Sequence, residues 1–538
     1  MTESGQHETH THPERWGSRI GIILAVAGSA VGLGNFLRFP GQAAANGGGA
    51  FMIPYFVALL IVGIPIGWVE WTMGRYGGRK GFHSAPSILG VIGKGAVARY
   101  FGVTGVLIPL AVSFYYTFIE AWCLGYFWHY LRGGLGIDPN APVSEQTATA
   151  SSFYNNFVGN DANGLLFGGS YETFVFWIIT FAVNIAVIYR GLTKGIEAFV
   201  RWAMPVMALA AFVVLIRVLT LGTPDPAAPD QNVINGLAYM WNPDFSALAN
   251  PQTWLAAAGQ IFFSISIGFG IIINYASYLR KEDDVVLSAL TSTSTNEVFE
   301  VSFGGLITLT ASFIFLGLSG TAAAVATGSF GLGFNTLPVV FAHMGAFGNA
   351  IGAIWFLMLF LAAITSSISM YQPSVAFFRE TLGASRKTAT TILVAVCGVG
   401  SFMTIWFSKD SVFWSTLDAW VGTFLIFLLA LIQLICFSWV FGIDRGFEEA
   451  HRGSEMRIPR FYRPILKYVA PGYLLIVFAA FCYSNLPGWV RAVGGQPAAQ
   501  LALGLVVAVT ILLLICLRIG EKRWRRAGMD LDGKLPAE

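Results

Sequence analysis

Long apolar runs alternate with short polar stretches along almost the whole chain. The runs begin near Gly17, Phe51, Phe101, Tyr171, Phe199, Trp254, Val285, Gly348, Thr388, Phe413, Ile465 and Leu501. A helix needs about 20 mostly apolar residues to cross a bilayer, and each run is of that order. The pattern predicts an all-α integral membrane protein of about 12 transmembrane helices. The polar stretches 133–165 and 222–236 are rich in Pro, Gly and Asn and read as loops. The stretch 320–347 is Gly- and Ala-rich and moderately apolar, which predicts a re-entrant or capping hairpin between the seventh and eighth spans.

Composition sharpens this picture. Of 538 residues, 55% are hydrophobic and 11% charged, against about 25% charged in soluble domains. An aqueous globule has no means of hiding that much apolar surface, so the bilayer is the natural solvent. A net charge of +3 without basic clusters among aromatics gives no reason to expect a nucleic-acid partner. Cys123, Cys397, Cys436, Cys482 and Cys516 lie inside apolar runs, at spacings that match no metal motif or disulfide framework. The first residues, with His7, His10 and His12, lack the layout of a cleaved signal peptide and read as a cytoplasmic tail.

Lys and Arg set the expected orientation. They concentrate in alternate connections: Arg75, Arg79, Lys80, Lys94 and Arg99; Arg190, Lys194 and Arg201; Arg280 and Lys281; Arg379, Arg386 and Lys387; Arg445, Arg452, Arg457, Arg460, Arg463 and Lys467; and the tail Arg518, Lys522, Arg523, Arg525 and Arg526. Residues 133–171 and 219–248 carry none. Both termini are therefore expected to be cytoplasmic.

Two spans carry glycines at mid-depth: Gly28-Ser29-Ala30-Val31-Gly32-Leu33-Gly34-Asn35 in the first, and Ser264-Ile265-Ser266-Ile267-Gly268-Phe269-Gly270 in the sixth. Each interior glycine weakens a helix by about 1 kcal/mol. One such run would be read as a close-packing surface. Two, in corresponding members of two five-helix halves, point instead to a central site in an inverted-repeat transporter. Half-helix N-termini attract a carboxylate and freed carbonyls coordinate a cation, so a zwitterion with Na+ suits such a place.

Polar residues inside the spans are the other candidates. Ala362, Thr365 and Ser366 share one face of the eighth span and form a neutral, oxygen-only set suited to a hard monovalent ion. On spacing alone, back-bonding of the two hydroxyls to their own helix is the favoured reading. Glu70, Glu120, Glu297 and Glu300 are intramembrane carboxyls and functional candidates by default, although each can also be a protonated structural hydrogen-bonder. Val112, Tyr116 and Glu120 form one stripe on the third span, a pattern more often packing than binding.

The chain resembles the neurotransmitter:sodium symporter family from Trp16 to the last span. The resemblance rests on Trp16-Gly-Ser-Arg19, Gly28 to Asn35, Phe36-Leu-Arg38-Phe-Pro40, Asn46 to Phe51, Ile64-Pro65, Glu70-Trp71, Gly74-Arg75-Tyr76-Gly77, Gly259-Gln260, Tyr275-Ala-Ser-Tyr278, Asn296-Glu297, Thr365-Ser366-Ser367 and Gln372-Pro373, in that order. It is strongest to the bacterial leucine-transporter type. The rule about paired glycine-broken spans derives from this same fold and adds no independent weight. The resemblance implies the leucine-transporter (LeuT) fold: two inverted five-helix repeats plus two C-terminal helices, with helices 1 and 6 unwound at the midplane. The expected division is a tail at 1–16, repeats at 17–220 and 249–440 joined by an extracellular loop at 221–248, a loop and helices 11 and 12 at 441–520, and a tail at 521–538.

The resemblance also implies Na+ at two sites. The first would use the Ala30 carbonyl with Asn35, Ser264, Asn296 and the substrate carboxylate. The second would use the carbonyls of Gly28, Val31 and Ala362 with the hydroxyls of Thr365 and Ser366, displacing the back-bonded reading. A substrate pocket would be lined by Ser29, Ala30, Leu33, Gly34, Val112, Tyr116, Phe263, Ser264, Ser266, Phe269, Ser366 and Met370. It carries no formal charge, so neutral, mainly apolar amino acids are the expected substrates; a charged side chain would stay unpaired at large cost. Amine substrates are disfavoured because the acid that the family's amine carriers place at Ser29–Ala30 is absent.

Gates are implied in the same way. Arg38 and Asp418 would close the outer vestibule, with Tyr116 and Phe269 as a lid. On the cytoplasmic side the family's Arg position falls on Pro13 and its Asp position on Glu380. A shifted Arg15–Glu380 pair is expected, with Trp16, Ser277, Tyr278 and Gln372 beside it. Glu300 stands where chloride-dependent members have a neutral residue, near Tyr55, Gln260, Ser264 and Asn296, so chloride independence is expected, with proton counter-movement on return. Ser29, Ser264 and Met370 replace Asn, Thr and Ile, and Ala45 and Gln433 replace glutamates. The flexible Met370 allows the pocket to take several side-chain sizes. The expected activity is sodium-coupled amino-acid import across the inner (plasma) membrane, with an aromatic or very small amino acid as the rival substrate. Repeat symmetry leaves homodimer pairing open. A sodium channel, a non-transporting sensor and a membrane enzyme are the other classes considered. Two gates, short tails and the lack of a nucleophile–base arrangement disfavour them in turn.

Overall fold

Apolar length and helix caps divide the chain as its hydropathy predicts. The computed structural model describes residues 14–168 and 171–535; His7, His10, His12 and Pro13 lie outside the described residues. Ten helices are long and apolar enough to span a bilayer: α2 Gly49–Arg79, α3 Ala96–Leu131, α4 Glu172–Tyr189, α5 Leu192–Leu219, α7 Val285–Ala326, α8 Gly345–Leu382, α9 Arg386–Trp406, α10 Lys409–Ala450, α11 Tyr462–Gly495 and α12 Pro497–Arg526. Two further helices are broken. In α1, Arg19–Ala30 is followed by Gly34–Ala45 at an angle of 46°. In α6, Pro251–Ser264 is followed by Ile271–Ala276. Among the described residues the first pair makes an eleventh span by length and apolarity, and the two short halves of α6 stand where the twelfth is expected.

The starts are written in the local sequence. Ser18 caps α1 by accepting from the Gly21 N–H, Asp284 caps α7 through the N–H groups of Val286 and Leu287, and Ser385 caps α9 through that of Thr388. Pro251 and Pro497 open α6 and α12, where a missing N–H costs nothing.

Burial sorts the helices into centre and rim. In their most apolar stretches α3 is 94% and α8 83% buried, against 28% for α4 and for α12. The rim helices turn apolar stripes outward: Val175, Ile178, Ile179 and Val183 on α4, and Val507, Ile511, Ile515 and Ile519 on α12. A stripe of this kind at i, i+4 spacing suits lipid as its solvent. The two termini share one face of the bundle, where Trp16 meets Tyr275 and Trp524 packs on Phe82.

The predicted hairpin between the seventh and eighth spans is present. α7 bends at Gly317 (φ 64°, ψ −169°), and a short apolar helix, Gly328–Ala342, returns across the face opposite the termini.

Candidate functional site

The two helix breaks face each other. In α6 the backbone from Ile265 to Gly270 includes three left-handed residues, Ser266 (φ 57°), Gly268 (φ 69°) and Gly270 (φ 81°). Ser266 is not a glycine, and its Oγ donates to the Ser29 carbonyl at 3.1 Å, tying one break to the other. Glu70 Oε1 accepts from the freed Gly268 N–H at 3.2 Å. In α1, Asn35 Oδ1 accepts from the Gly32 N–H at 2.8 Å. A Cβ at Gly32 would stand 3.0 Å from the Tyr116 hydroxyl and 3.2 Å from Ser366 Oγ, so the absence of a side chain lets both approach the broken backbone.

Around these breaks lies a cavity of ≈ 480 Å³. Its walls include all twelve residues expected for the pocket: Ser29, Ala30, Leu33, Gly34, Val112, Tyr116, Phe263, Ser264, Ser266, Phe269, Ser366 and Met370. The cavity runs on towards the face opposite the termini, past Arg38, Trp414 and Asp418 to Phe330 and Asn335 of the hairpin region. The other direction is filled by buried Trp16, Tyr275, Tyr278 and Gln372. Among the described residues the cavity thus opens towards the face opposite the termini.

Two oxygen-rich groups flank the cavity. In the first, Asn35 Nδ2 donates to Asn296 Oδ1 and to Glu300 Oε2, each at 2.9 Å, and lies 3.4 Å from Ser264 Oγ. Asn296 Nδ2 donates to Ser264 Oγ at 2.7 Å. Its Oδ1 then faces the carbonyl oxygens of Ala30 and Ser264 at 3.3 Å; turning the amide relieves that contact but sets its nitrogen 2.9 Å from Asn35 Nδ2. Either orientation leaves like facing like. In the second group, Ser366 Oγ lies 3.0 Å from the Ala362 carbonyl, 3.2 Å from that of Ser29 and 3.4 Å from that of Gly28. Thr365 Oγ1 back-bonds to Leu361 and Ala362 at 2.9 and 3.1 Å, the local option open to any helical threonine. Val31 is fully buried at the end of the first half-helix, its N–H on the Ala27 carbonyl at 2.7 Å.

Glu300 sits between these groups and α2. It accepts from Gln260 Nε2 at 2.9 Å, from Tyr55 Oη at 3.0 Å, from Asn35 and from the Ser264 hydroxyl. Tyr55 also donates to Glu297 at 2.8 Å.

The gates differ from expectation. Arg38 and Asp418 both line the cavity but do not pair here. The Arg38 guanidinium lies 4.5 Å from the centre of the Phe263 ring, and Asp418 takes the Tyr115 hydroxyl at 2.7 Å, so each has a nearer partner while the vestibule is open. On the termini face the expected Arg15–Glu380 pair is replaced by one of opposite polarity. Glu14 accepts from Arg379 and, at 2.5 Å, from Arg386. Arg15 is exposed and offers only its carbonyl, to Thr193 at 2.8 Å. Glu380 is taken up instead by the connection between α2 and α3, accepting from the backbone N–H groups of His83 and Ser84 at 3.0 and 2.8 Å.

The other members of this latch lie where expected. The Trp16 indole donates to the Tyr275 carbonyl at 2.9 Å. Gln372 bridges, accepting from Arg386 at 3.0 Å and reaching the Tyr278 hydroxyl at 3.4 Å. The residue sequence reasoning missed is His83, stacked flat on Tyr278 with centroids 4.4 Å apart and Nδ1 3.0 Å from Ser277 Oγ. Burial, and then the positive charge of Arg379, lower its pKa to about 4. Only its place in a connection rich in Lys and Arg hinted at it.

Among the described residues, a bundle of apolar helices broken twice around a cavity that opens to one face has the form of a membrane transporter. The profile of the sodium:neurotransmitter symporter family matches residues 13–139 and 136–526, and the chain belongs to that family. An uncharacterized sodium-dependent transporter of Methanocaldococcus jannaschii is 32% identical over 86% of this chain and 89% of its own length. The sodium-dependent nutrient amino acid transporter 1 of Drosophila willistoni is 24% identical over 88% of this chain and 79% of its own. Among solved structures, MhsT in complex with L-phenylalanine superposes with a TM-score of 0.72 at 26% identity, covering 87% of this chain and 99% of that one. The chain is therefore a sodium-dependent symporter with the leucine-transporter fold.

Proposed function

We propose that the protein imports neutral, mainly apolar amino acids together with Na+, by alternating access and without chloride. The observation that carries this is the cavity itself. Broken backbone and the Tyr116 hydroxyl mark one wall, with Ser266 and Phe269 across from it, and the lining between includes no charged group until Arg38 and Asp418 near its mouth. A carboxylate held by the N–H groups of the α1 break and by Tyr116 would leave an apolar side chain among Val112, Phe269 and Met370. The resident L-phenylalanine of the MhsT structure makes an aromatic side chain the second candidate for this chain.

Two sodium sites fit the oxygen groups. At the first, a cation between Ala30 O, Asn296 Oδ1, Asn35 Oδ1, Ser264 Oγ and the substrate carboxylate removes the like-with-like contact of Asn296. Because the substrate completes this shell, ion and amino acid strengthen one another's binding reciprocally. At the second, Gly28, Val31 and Ala362 carbonyls with Thr365 and Ser366 hydroxyls join α1 to α8. Glu300 supplies the negative charge that a halide would otherwise bring, and its taking up a proton from the inside before the empty carrier returns, to release it outside, suits proton counter-movement.

The same reading takes 17–220 and 249–440 as the inverted repeats and puts the basic connections and both termini in the cytoplasm. The described form is then outward-open, its inner side latched by Glu14, Arg379 and Arg386. Arg38 and Asp418 would meet only as substrate closes Tyr116 and Phe269 over the pocket.

The test is uptake of labelled leucine into proteoliposomes under an inward Na+ gradient, against K+ and choline, with unlabelled amino acids as competitors. Sodium-dependent accumulation blocked by apolar amino acids is expected. Block by aromatic amino acids alone would move the assignment to them. No sodium dependence for any labelled competitor would overturn the symport reading.

A further inference from the structure

Glu120, on α3 one turn beyond Tyr116, is fully buried and takes no part in the cavity. Among the described residues its hydrogen bonds to α4 and α8 go to two side chains. Asn184 Nδ2 lies 3.0 Å from Oε1 and 3.1 Å from Oε2, and also donates to the Thr180 carbonyl at 3.0 Å. Ser367 Oγ lies 2.8 Å from Glu120 Oε2 and 2.7 Å from Asn184 Oδ1, with a longer 3.2 Å contact to the Ile364 carbonyl.

The hydrogens can be counted. The Thr180 carbonyl only accepts, so it fixes the Asn184 amide with nitrogen towards Glu120 and oxygen towards Ser367. Asn184 Oδ1 then needs a hydrogen at 2.7 Å, and the Ser367 hydroxyl has the only one available there. That hydrogen is spent, so the 2.8 Å contact between Ser367 Oγ and Glu120 Oε2 must take its hydrogen from Glu120. A neutral carboxyl closes the ring: Glu120 O–H to Ser367, Ser367 O–H to Asn184, Asn184 N–H back to Glu120. An ionised carboxyl leaves two acceptors facing each other at hydrogen-bond distance, a cost comparable with a lost buried hydrogen bond. Among the described residues the titratable side chains that act on or feel Glu120 are Tyr116 and Cys123 on α3 and Tyr371 on α8, and none of them is basic.

We propose that Glu120 is a proton-binding site, held as a neutral carboxylic acid at the junction of α3, α4 and α8, and that through Ser367 it positions the cation-binding oxygens of Thr365 and Ser366. The second clause rests on the sodium reading above; the first does not. Ser367 belongs to the same hydroxyl triplet as Thr365 and Ser366, yet its hydrogen is committed sideways to Asn184. This fixes the rotation of α8, so that Ser366 Oγ faces the Gly28 and Ser29 carbonyls. Glu120 is thus a positioning residue, and the proton is a fixed part of the scaffold.

Infrared difference spectra of lipid-reconstituted wild type against Glu120→Gln test the proton, and sodium titration of substrate binding tests the positioning. The wild type is expected to show at neutral pH a protonated-carboxyl C=O band that shifts in D2O and is absent from the variant. Glu120→Gln, which can still donate to Ser367 and accept from Asn184, should keep its half-saturating Na+ within about threefold, while Ser367→Ala should raise it about tenfold. A carboxylate band in the wild type that vanishes in the variant would overturn the proposal. So would a Glu120→Gln protein as impaired in Na+ binding as Ser367→Ala. A C=O band in a wild type whose substrate binding ignores Na+ would keep the proton site and refute the sodium reading instead.

Discussion

Glu14 Oε1 lies 2.5 Å from Arg386 Nη1, and Arg386 in turn holds Gln372 Oε1 at 3.0 Å. This one contact joins the segment before α1 to the start of α9 and, through Gln372, to the middle of α8. It is also the reverse in charge of the pair the sequence suggested. Only about a fifth of each side chain is exposed (21% and 16%), so solvent screens it little. A charge-assisted hydrogen bond of this kind contributes about 1.5–3 kcal/mol, which is roughly a tenfold to hundredfold change in the population of a latched state. Glu14→Gln should therefore raise labelling of a cysteine placed at buried Ser374, in a background without the native cysteines. Glu14→Arg combined with Arg379→Glu and Arg386→Glu should restore protection, because both contacts of position 14 would be re-formed with exchanged ends. Unchanged labelling in Glu14→Gln would show that Trp16 and Tyr275 close the face unaided.

His83 makes the same face sensitive to acid. Its pKa in the folded protein is about 4, lowered by burial and then by Arg379, against about 6.5 in an unfolded chain. Between those values the unfolded chain binds a proton that the folded one refuses, so stability falls as pH falls. The contribution is intact above about pH 6.5 and is lost progressively towards pH 4, up to about 3 kcal/mol in all. Thermal unfolding of the purified protein should fall more steeply between pH 6.5 and 5 for wild type than for His83→Asn. Parallel curves for the two would place the acid sensitivity elsewhere.

The spans and the two breaks were legible because each rests on a local property, whereas the pocket walls were expected only from the family resemblance. Val285 begins both the apolar run and α7, and glycines at 28, 32 and 34 and at 268 and 270 bracket the places where α1 and α6 lose their helix. Ends were less legible. α9 starts at Arg386, just before the apolar run near Thr388, and α12 at Pro497, ahead of the run near Leu501, because caps and polar first turns extend a helix beyond its apolar part. The latch was illegible for a geometric reason. Glu14 and Arg15 are neighbours in the non-helical segment before α1, and Arg379 and Glu380 are neighbours on α8, where adjacent side chains diverge by about 100°. Which member of each couple faces inward depends on the packing of α5, α8 and α9 around them, and a pattern along one chain carries no such information. His83 escaped for the same reason, since its partner Tyr278 is remote in sequence.

Glu300 is surrounded by four donors, the side chains of Asn35, Tyr55, Gln260 and Ser264. Donors converging on one point make an anion site, and on the proposed reading the anion here is the covalently attached carboxylate. Wild-type uptake should be the same in chloride and in gluconate. Glu300→Ser empties the centre of that cluster without removing a donor, so uptake should become chloride-dependent, with gluconate reducing it about tenfold or more. Chloride-stimulated transport in the wild type would show that the cluster takes a second anion. Loss of activity in Glu300→Ser under both anions would show that the carboxylate serves the cation directly.

Gly270 ends the break in α6 with φ +81°, and a Cβ there would stand 2.0 Å from the Gly105 carbonyl oxygen of α3. Neither problem can be relaxed cheaply: the left-handed backbone costs an alanine about 1 kcal/mol, and the opposing atom is main chain in the most buried helix of the bundle. Gly270→Ala should therefore push α6 away from α3, lower the melting temperature by many degrees and abolish high-affinity substrate binding. Gly259 is the matched control eleven residues earlier in the same helix. Its Cβ would meet nothing within 4 Å, so Gly259→Ala should leave stability unchanged or raise it by about 0.5–1 kcal/mol through helix propensity. Melting curves of the two variants with and without Na+ and substrate separate the outcomes. A stable Gly270→Ala protein that still binds would mean that the second half of α6 can restart without that close approach, and that the break is held by Ser266 and Glu70 alone.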